Sequence, residues 1–297
     1  MNNVKEPFID WGGEWTATKL QAFEDYVNAY LTIMNAQKDK YNGWPTTIYF
    51  DGFAGSGKRN ILSTDDEKLF KDITNDELTV YKGSAERVLS MTKKFDEYYF
   101  IDNDSEAINI LKSNLAAKNL ITSSCNFIVN DVNEELKKFS KYLDKKKAAL
   151  ILLDPFGMQL NWESIELLKD RRVDLWILLP SGVIINRFLD RKGKLLFSEK
   201  LQSFFGMNEQ EIREIFYKTE TIETLFDIEN RIIKVSDSIT KIADVYIQRL
   251  KNIFKFVTNE PLKLLNTKDI PIYHFVFASN NQTALNIAKY IIEKKQK

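Results

Sequence analysis

Four aspartates lie at or just beyond the ends of short apolar runs in this chain, namely Asp51, Asp102, Asp131 and Asp154. A carboxylate accepts hydrogen bonds from amino groups and hydroxyls, and a bond that involves a charge contributes about 1.5 to 3 kcal/mol. If the four runs are parallel strands, their carboxyl ends meet at one rim of a sheet. The sequence then predicts a site with several carboxylates, suited to a ligand that carries amino and hydroxyl groups.

The first of these acids opens a glycine-rich segment, DGFAGSGK, which runs from Asp51 to Lys58. Its glycines allow tight turns and close approach of the backbone to a ligand. The segment fits part of the phosphate-binding pattern G-x-x-x-x-G-K-[ST], but Arg59 replaces the hydroxyl residue that would hold magnesium. Asp51 would repel a triphosphate, and Asn60 to Val80 shows little of the helical periodicity that a P-loop requires next. A P-loop nucleotide-binding protein is therefore the less favoured interpretation.

S-adenosylmethionine is the other cofactor that this segment could bind, because its amino group and sulfonium are cationic and favour a nearby carboxylate. A carboxylate after the second strand of an open α/β sheet commonly holds ribose hydroxyls, which indicates Asp102. Asp131 would lie near the adenine, although capping of the next helix fits it almost as well, and for Asp104 capping is the preferred role. The predicted cofactor contacts are Asp51, Gly52, Phe53, Ala54, Gly55, Gly57, Asp102, Asn103, Asp131 and Val132.

The elements that must position these residues alternate between strand and helix. Strand-like runs cover Ile48–Phe50, Glu97–Asp102, Cys125–Val129, Ala148–Leu153 and Val173–Leu179. The last two are almost continuously apolar, as expected for parallel strands that are covered on both faces. The pattern predicts an α/β fold with a Rossmann-like, mainly parallel sheet of seven strands, helices on both faces and a helical insertion after the fifth strand.

The segments DGFAGSGK, FIDND, LLDPFGMQLNW and DLWILLPSGVIINR resemble the three-Cys-motif partner proteins, a bacterial family similar to the class I methyltransferases that use S-adenosylmethionine. The resemblance covers about residues 10 to 200 well and the remainder loosely. It implies that the loop from Asp51 to Gly57 holds the methionine part of the cofactor, Asp102 the ribose and Asp131 the adenine. The family name refers to a neighbouring protein with three cysteines, which is the partner that the resemblance implies.

Asp154, Pro155 and Phe156 resemble the fourth motif of methyltransferases that act on amino groups of bases. An exocyclic amine is a poor nucleophile while its lone pair is delocalised, so Asp154 and the carbonyl after Pro155 would accept its protons while Phe156 stacks on the base. Phe followed by Gly157 departs from the common pattern and is similar to a form in some tRNA guanine methyltransferases. A structural Asp-Pro turn with Phe156 in the core is the alternative. The resemblance implies methylation of DNA or RNA, with a non-catalytic accessory protein as the alternative.

The composition limits the other functions that are open to this chain. Its 297 residues are 44% hydrophobic and 28% charged, which is typical of a globular protein. One cysteine excludes an internal disulfide framework, and with one histidine we expect no metal site and no Ser-His-Asp hydrolase. His274 lies in a strand-like run, where packing is the expected role. No apolar run is long enough for a bilayer and Met1 to Asp10 lacks a signal-peptide pattern, so we expect a cytoplasmic protein.

The charge balance bears on the substrate. The 42 basic residues match 42 acidic ones, so no strong overall field attracts nucleic acid, and any such contact must be local. The basic segment Asn186–Lys194 follows the fifth strand and would lie near the active rim, although an ordinary solvated surface is the alternative. The predicted substrate contacts are Gly157, Arg187, Arg191 and Lys192.

One domain is expected over residues 1–297, because no repeat, low-complexity tract or clear linker is visible. A helical cover would span residues 1–45 and a cofactor-binding core residues 46–185. The helical insertion would then span residues 186–235. Residues 236–297 would complete the sheet with a helix, a strand pair and a final helix.

Overall fold

The computed structural model describes residues 14–55, 82–223, 228–266 and 268–296. Its α-helices are α1 (Glu14–Lys40), α2 (Lys82–Ser90), α3 (Ser105–Ala117), α4 (Val132–Tyr142), α5 (Trp162–Glu166), α6 (Asn186–Phe188), α7 (Ser198–Phe205), α8 (Glu209–Phe216), α9 (Ser238–Leu250) and α10 (Gln282–Lys295). A π-helix covers Ser181–Ile185. The strands are β1 (Thr46–Asp51), β2 (Glu97–Asp102), β3 (Cys125–Val129), β4 (Lys147–Leu153), β5 (Val173–Leu179), β6 (Tyr217–Glu223), β7 (Ile228–Lys234), β8 (Phe256–Val257), β9 (Leu262–Leu265) and β10 (Pro271–Ser279).

The main sheet has the strand order β3-β2-β1-β4-β5-β10-β8, and β9 also pairs with β10. Neighbours from β3 to β5 are parallel, whereas β10 is antiparallel to β5. The strand order reverses between β1 and β4, which is the switch point at which open α/β sheets bind ligands. The expected α/β class, with a mainly parallel Rossmann-like sheet, is confirmed.

Helices cover both faces of this sheet because strand side chains point alternately to two apolar layers. In β1, Tyr49 packs in the layer that contains α1, α2 and α10, whereas Ile48 and Phe50 pack in the layer that contains α4, α5, α7 and α9. Across the described parts of the chain, no helix combines the length and the apolar character that a bilayer span needs.

The sheet has eight strands instead of the expected seven, because its outer edge is interrupted between β8 and β9. Both strands pair with β10, and the connecting segment contains Pro261, which cannot donate a ladder hydrogen bond. At the interruption, the Thr258 amide donates to the Phe277 carbonyl at 2.9 Å. The Thr258 hydroxyl accepts from the Phe277 amide at 3.1 Å, so a side chain replaces one backbone partner.

The insertion after β5 is only partly helical. The π-helix and α6 to α8 are followed by β6 and β7, which pair antiparallel in a sheet of their own. Their sequences, YKTETIE and IENRIIK, are rich in Thr and Ile, whose β-branched side chains favour strands. The expectation of a helical insertion over residues 186–235 is therefore wrong for β6 and β7.

Candidate functional site

Asp51 is the last residue of β1, and only 1% of its surface is exposed. Its Oδ2 accepts from the hydroxyls of Tyr49 and Ser84, both at 2.9 Å, and its Oδ1 accepts from the Phe53 amide at 3.4 Å. The pKa of Asp51 is raised to about 6, mainly by burial and to a smaller extent by the Asp154 carboxylate. The hydrogen bonds from Ser84 and Tyr49 act in the opposite direction. A cation beside Asp51 would therefore be stabilised, because it favours the ionised carboxylate.

Gly52 follows at a point where the backbone is tightly enclosed. A Cβ at this position would lie 2.6 Å from Leu153 Cδ2 of β4 and 2.8 Å from Val132 Cγ2 of α4. Both distances are shorter than real contacts, so a larger residue would displace these side chains. Glycine thus brings the loop after β1 into close contact with the end of β4 and the start of α4.

The rest of the described loop crosses from β1 to the end of β2. The Ala54 amide donates to the Ile101 carbonyl at 2.8 Å, and the Gly55 amide donates to Asp102 Oδ2 at 3.0 Å. Gly55 has a φ of 45°, in the left-handed region that favours glycine. The predicted contact Gly57 lies outside the described residues.

Asp102 is buried, with 3% of its surface exposed, and it is fixed on two sides. Its Oδ2 accepts from Gly55, and its Oδ1 accepts from the Asp104 amide at 3.0 Å. Asp104 itself caps α3 by accepting from two first-turn amides at 2.8 and 3.2 Å, as the sequence predicts. Asn103 lies exposed between the two acids.

Asp131 is exposed and caps α4, accepting from the amides of Asn133 at 2.8 Å and Glu134 at 3.3 Å. The capping role that the sequence left open is thus present, while a contact with adenine stays a prediction. Val132 is buried against Gly52. The ends of β2 and β3 are joined by the Asn130 amide, which donates to the Asp102 carbonyl at 3.0 Å.

Asp154 follows β4 and forms a buried ion pair that the sequence reasoning did not predict. Its Oδ2 lies 2.5 Å from Lys19 Nζ of α1, and the two residues are 7% and 5% exposed. Lys19 lies on the same face of α1 as Phe23 and Tyr26, four and seven residues later. A lysine within this apolar stripe requires a partner when it is buried. The position of Lys19 in the stripe was therefore the sequence signal for a buried ion pair.

Phe156 and Gly157 lie in a turn whose backbone amides are bonded to the side chain of Gln159. Gln159 Oε1 accepts from the Phe156 amide at 2.9 Å and from the Gly157 amide at 3.4 Å. The Gln159 carbonyl accepts from Asn133 of α4 at 2.9 Å. Phe156 is 9% exposed, so both the stacking role and the core role stay predictions.

The basic segment begins at the same end of the sheet, because the π-helix follows Pro180 directly after β5 and continues into α6. Arg187, Arg191 and Lys192 are exposed. Lys234 of β7 is a further cation beside them, and its Nζ donates to the Asn186 carbonyl at 2.5 Å. Burial, with a smaller contribution from the charge of Arg191, lowers the pKa of Lys234 to about 8.

His274 packs inside the sheet, where its Nδ1 lies 2.7 Å from the buried Ser181 hydroxyl. Burial lowers the pKa of His274 to about 4, so the imidazole is neutral near pH 7. This arrangement agrees with the packing role expected from the sequence. In the described ranges, no three His, Cys, Asp or Glu side chains form a group that could hold a metal ion.

Comparison with known proteins gives no family assignment. No family model matches this chain, and no curated protein matches it. The resemblance to the three-Cys-motif partner proteins therefore stays a prediction.

Several solved structures are similar in arrangement. An rRNA methylase from Streptococcus thermophilus has 11% identity and a TM-score of 0.30, covering 65% of this chain and 90% of its own. A protein from Legionella pneumophila has 12% identity and a TM-score of 0.40, covering 92% and 99%. The plantazolicin methyltransferase BamL, solved with a desmethyl-plantazolicin analogue and S-adenosylhomocysteine, has 16% identity and a TM-score of 0.29, covering 90% and 88%. At these identities and scores, the likeness assigns neither a family nor an activity.

Proposed function

We propose that this chain is an S-adenosylmethionine-dependent methyltransferase that acts on an amino group of a nucleobase. The observation that carries the proposal is the bridge at the switch point, where the Gly55 amide of the loop after β1 donates to the Asp102 carboxylate at the end of β2. In a P-loop, by contrast, such amides face phosphate oxygens. The bridge supports a cofactor with a cationic end near Asp51 and a ribose near Asp102.

The charges at this rim fit that cofactor. Asp51 and Asp154 are both buried, and burial first, with a smaller contribution from the Asp154 carboxylate, raises the pKa of Asp51 and so the cost of ionising it. A ligand amino group or sulfonium would offset that cost. When bound, S-adenosylmethionine would supply the electrophilic methyl group. The loop Asp51–Gly55 and Asp102 would hold it, with Asn103, Asp131 and Val132 toward the base.

Asp154 would accept a proton from the substrate amino group. The bound cofactor would supply a methyl group to the substrate nitrogen, with the electron pair of the broken carbon–sulfur bond staying on sulfur. Asp154 or water would accept the proton that the nitrogen loses, and the carbonyl after Pro155 would accept a hydrogen bond from the same amine. Lys19 acts as a positioning residue because it fixes Oδ2 of Asp154 at 2.5 Å. Gln159 holds the backbone of Phe156, which would stack on the base.

The substrate would approach along the exposed cations after β5. Arg187, Arg191 and Lys192 are candidate phosphate contacts, and Lys234 adds a partly buried charge next to Arg191. Phosphate contacts of this kind position a nucleic acid without reading its sequence. DNA and RNA therefore both fit the proposed substrate class. Separately, the resemblance described above makes a three-Cys-motif protein the proposed partner.

The test combines calorimetry with a transfer assay on the full chain. We expect binding of S-adenosylmethionine and S-adenosylhomocysteine, with Asp102→Ala weakening both by about tenfold or more. Asp144→Ala, which changes an exposed aspartate just beyond the carboxyl end of α4, should bind like the unchanged chain. Methyl transfer from labelled cofactor to total RNA or DNA, followed by nucleoside mass spectrometry, should give an N-methylated base. Absence of cofactor binding at millimolar concentration would overturn the proposal.

The alternative, a non-catalytic accessory protein, gives a different result in the same experiment. It predicts cofactor binding that is unaccompanied by methyl transfer to either polymer. Addition of the candidate three-Cys-motif protein is the deciding step, because an accessory role requires a stable complex with that partner.

A further inference from the structure

A cavity lies at the edge of the main sheet opposite the acidic rim, where β4 and β5 begin and β10 ends. Its volume is about 850 Å³, within the range of roughly 300 to 1,000 Å³ in which most ligand sites fall. The walls are formed by the second half of α1, the turn between α1 and β1, the segment before β5 and the start of α10. None of the residues assigned above to cofactor or substrate lines it.

Three cations line this cavity: Arg171, Arg172 and Lys255. Arg171 donates to the Leu143 carbonyl at 3.1 Å and Arg172 to Gln37 Oε1 at 2.7 Å, both neutral acceptors. Within the described residues, none of the three cations forms an ion pair with a carboxylate. Cations that face a cavity in this way favour an anionic ligand.

Two acids also line the cavity, Asp170 and Asp174. Asp174 is buried, and its two oxygens accept from the hydroxyls of Tyr26 at 2.7 Å and Ser279 at 2.5 Å. Its carboxylate is therefore engaged with the protein. Asp170 is exposed, so the three cations at the wall outnumber the single acid that is left to face a ligand.

An aromatic pair stands beside the cations. Trp44 and Tyr41 are 38% and 50% exposed, and their rings meet edge to face at 5.9 Å. The Arg172 guanidinium lies 4.3 Å from the centre of the Trp44 ring. Exposed aromatic rings next to cations are the arrangement on which nucleic-acid bases stack, while the cations contact phosphate.

A buried hydroxyl in the wall gives an independent indication of a ligand. Tyr30 lines the cavity, is 4% exposed, and its hydroxyl has no hydrogen-bond partner among the described residues. Buried hydroxyls are nearly always paired, so an unpaired one directly beneath the wall favours a polar ligand group at this point. The first turn of α10, a helix of 14 residues capped by Asn281, adds backbone amides that favour an anion.

We infer that this cavity binds a nucleotide, with its base on Trp44 and Tyr41 and its phosphate among Arg171, Arg172 and Lys255. A free mononucleotide and the phosphorylated end of a nucleic-acid strand share this chemistry. The inference does not depend on methyl transfer, because it uses no residue of the acidic rim.

Calorimetry on the full chain tests the inference with AMP, GMP, CMP and UMP, with adenosine as the probe that lacks phosphate. The titrations are repeated in saturating S-adenosylhomocysteine, so that binding at the rim is recognised by competition. We expect at least one mononucleotide, or a 5′-phosphorylated trinucleotide, to bind about tenfold or more tightly than its unphosphorylated counterpart. Preference for the trinucleotide over every mononucleotide would identify a strand end as the ligand.

Variants distinguish this cavity from other sites. Lys255→Ala removes an exposed side chain with no hydrogen bond in the described structure, so it should fold normally and weaken binding about tenfold. Arg172→Gln and Trp44→Ala should weaken it as much, whereas Lys289→Ala and Tyr290→Ala, on the exposed face of α10, should leave it unchanged. The inference is overturned if no nucleotide binds, if binding ignores Lys255→Ala and Arg172→Gln, or if S-adenosylhomocysteine abolishes it.

Discussion

The two edges of the main sheet carry opposite chemistry. At the rim where β1, β2 and β4 end, Asp51, Asp102 and Asp154 are buried and held by hydrogen bonds or by Lys19. At the edge where β4 and β5 begin, Arg172 and neighbouring cations face an open cavity and form no ion pair in the described chain, although the charge of Arg172 also acts on the buried Asp174. One edge favours a cation and the other favours an anion.

This contrast shows why the balanced composition is a poor guide to binding. Equal numbers of basic and acidic residues, 42 of each, remove the overall field but not the local ones. Burial also differs between the edges: a buried charge must be paired, whereas an exposed charge remains available to a ligand. The following predictions test this difference, beginning with the largest effect.

Removing one lysine from each edge compares a buried cation with an exposed one. Lys19→Met leaves the buried Asp154 without its ammonium partner, and we expect the free energy of unfolding to fall by about 3 to 5 kcal/mol. Lys255→Met should change it by less than about 0.5 kcal/mol. Urea denaturation at pH 7 measures both. Equal losses would show that the rim pair is no more strongly coupled than a surface group.

Replacing Asp154, instead of its partner Lys19, tests whether this carboxylate takes part in methyl transfer. Asp154→Asn keeps the shape of the side chain but removes its capacity to accept a proton, so kcat for methyl transfer should fall by about 100-fold or more. The Kd for S-adenosylhomocysteine should change by less than about tenfold, because Asp154 acts on the substrate. Asp144→Asn is the matched control. A kcat within about threefold of the unchanged chain would remove Asp154 from the mechanism.

The raised pKa of Asp51 gives the rim a pH dependence. Because the folded-state pKa is about 6, above the ordinary value of 3.8, folding favours the protonated form. The stabilising contribution of Asp51 is therefore present below about pH 4 and is lost as pH rises to 6, at up to about 1.4 kcal/mol per pH unit. The difference in unfolding free energy between the unchanged chain and Asp51→Asn should fall over this range.

The affinity for the cofactor should change with pH in the opposite direction to the stability contributed by Asp51. A cationic amino group binds the ionised form of Asp51, so affinity for S-adenosylhomocysteine should rise as pH increases through about 6. Calorimetry from pH 5 to pH 8 measures this rise, and Asp51→Asn should flatten it. An unchanged slope in that variant would place the cationic end of the ligand elsewhere.

The smallest effect concerns the two capping aspartates beside the rim. Asp131→Ala and Asp104→Ala each remove a helix cap and should destabilise the fold by about 1 kcal/mol. Thermal unfolding measures that loss. If only Asp131→Ala also weakens cofactor binding by more than about tenfold, Asp131 contacts the adenine in addition to capping α4. If both variants bind the cofactor equally well, capping α4 is the sole role that this comparison supports for Asp131.

The features that sequence could predict are those decided by near neighbours in the chain. The run from Ala148 to Leu153 is apolar throughout and can only be a buried strand or helix, and its length and the following Asp-Pro favour a strand. The Asp104 cap depends on amides two and three residues later. The acids at the strand ends then share a rim because parallel strands share their direction.

The features that were missed depend on distant segments or on weak local preferences. Lys19 and Asp154 are separated by 135 positions, and the pattern in α1 shows that a partner is needed without naming it. Trp44, Arg172 and Lys255 come from three separate connections, so their shared cavity is visible only after folding. The hairpin of β6 and β7 was missed because charged residues at every few positions also fit an exposed helix.

The position of α1 sets the order in which this chain can complete its structure during synthesis. Its side chains contact residues far along the sequence: Tyr26 bonds to Asp174, 148 positions later, and Asp25 pairs with Lys295 of α10. Contacts of such high sequence separation form late, since their loop-closure entropy must be overcome first. A ribosome that adds about 5 to 20 residues per second releases α1 many seconds before its partners exist. Among the described helices, α1 is therefore made before the others but completes its burial only after the segments with Asp174 and Lys295 have been made, and its apolar stripe stays exposed in the meantime.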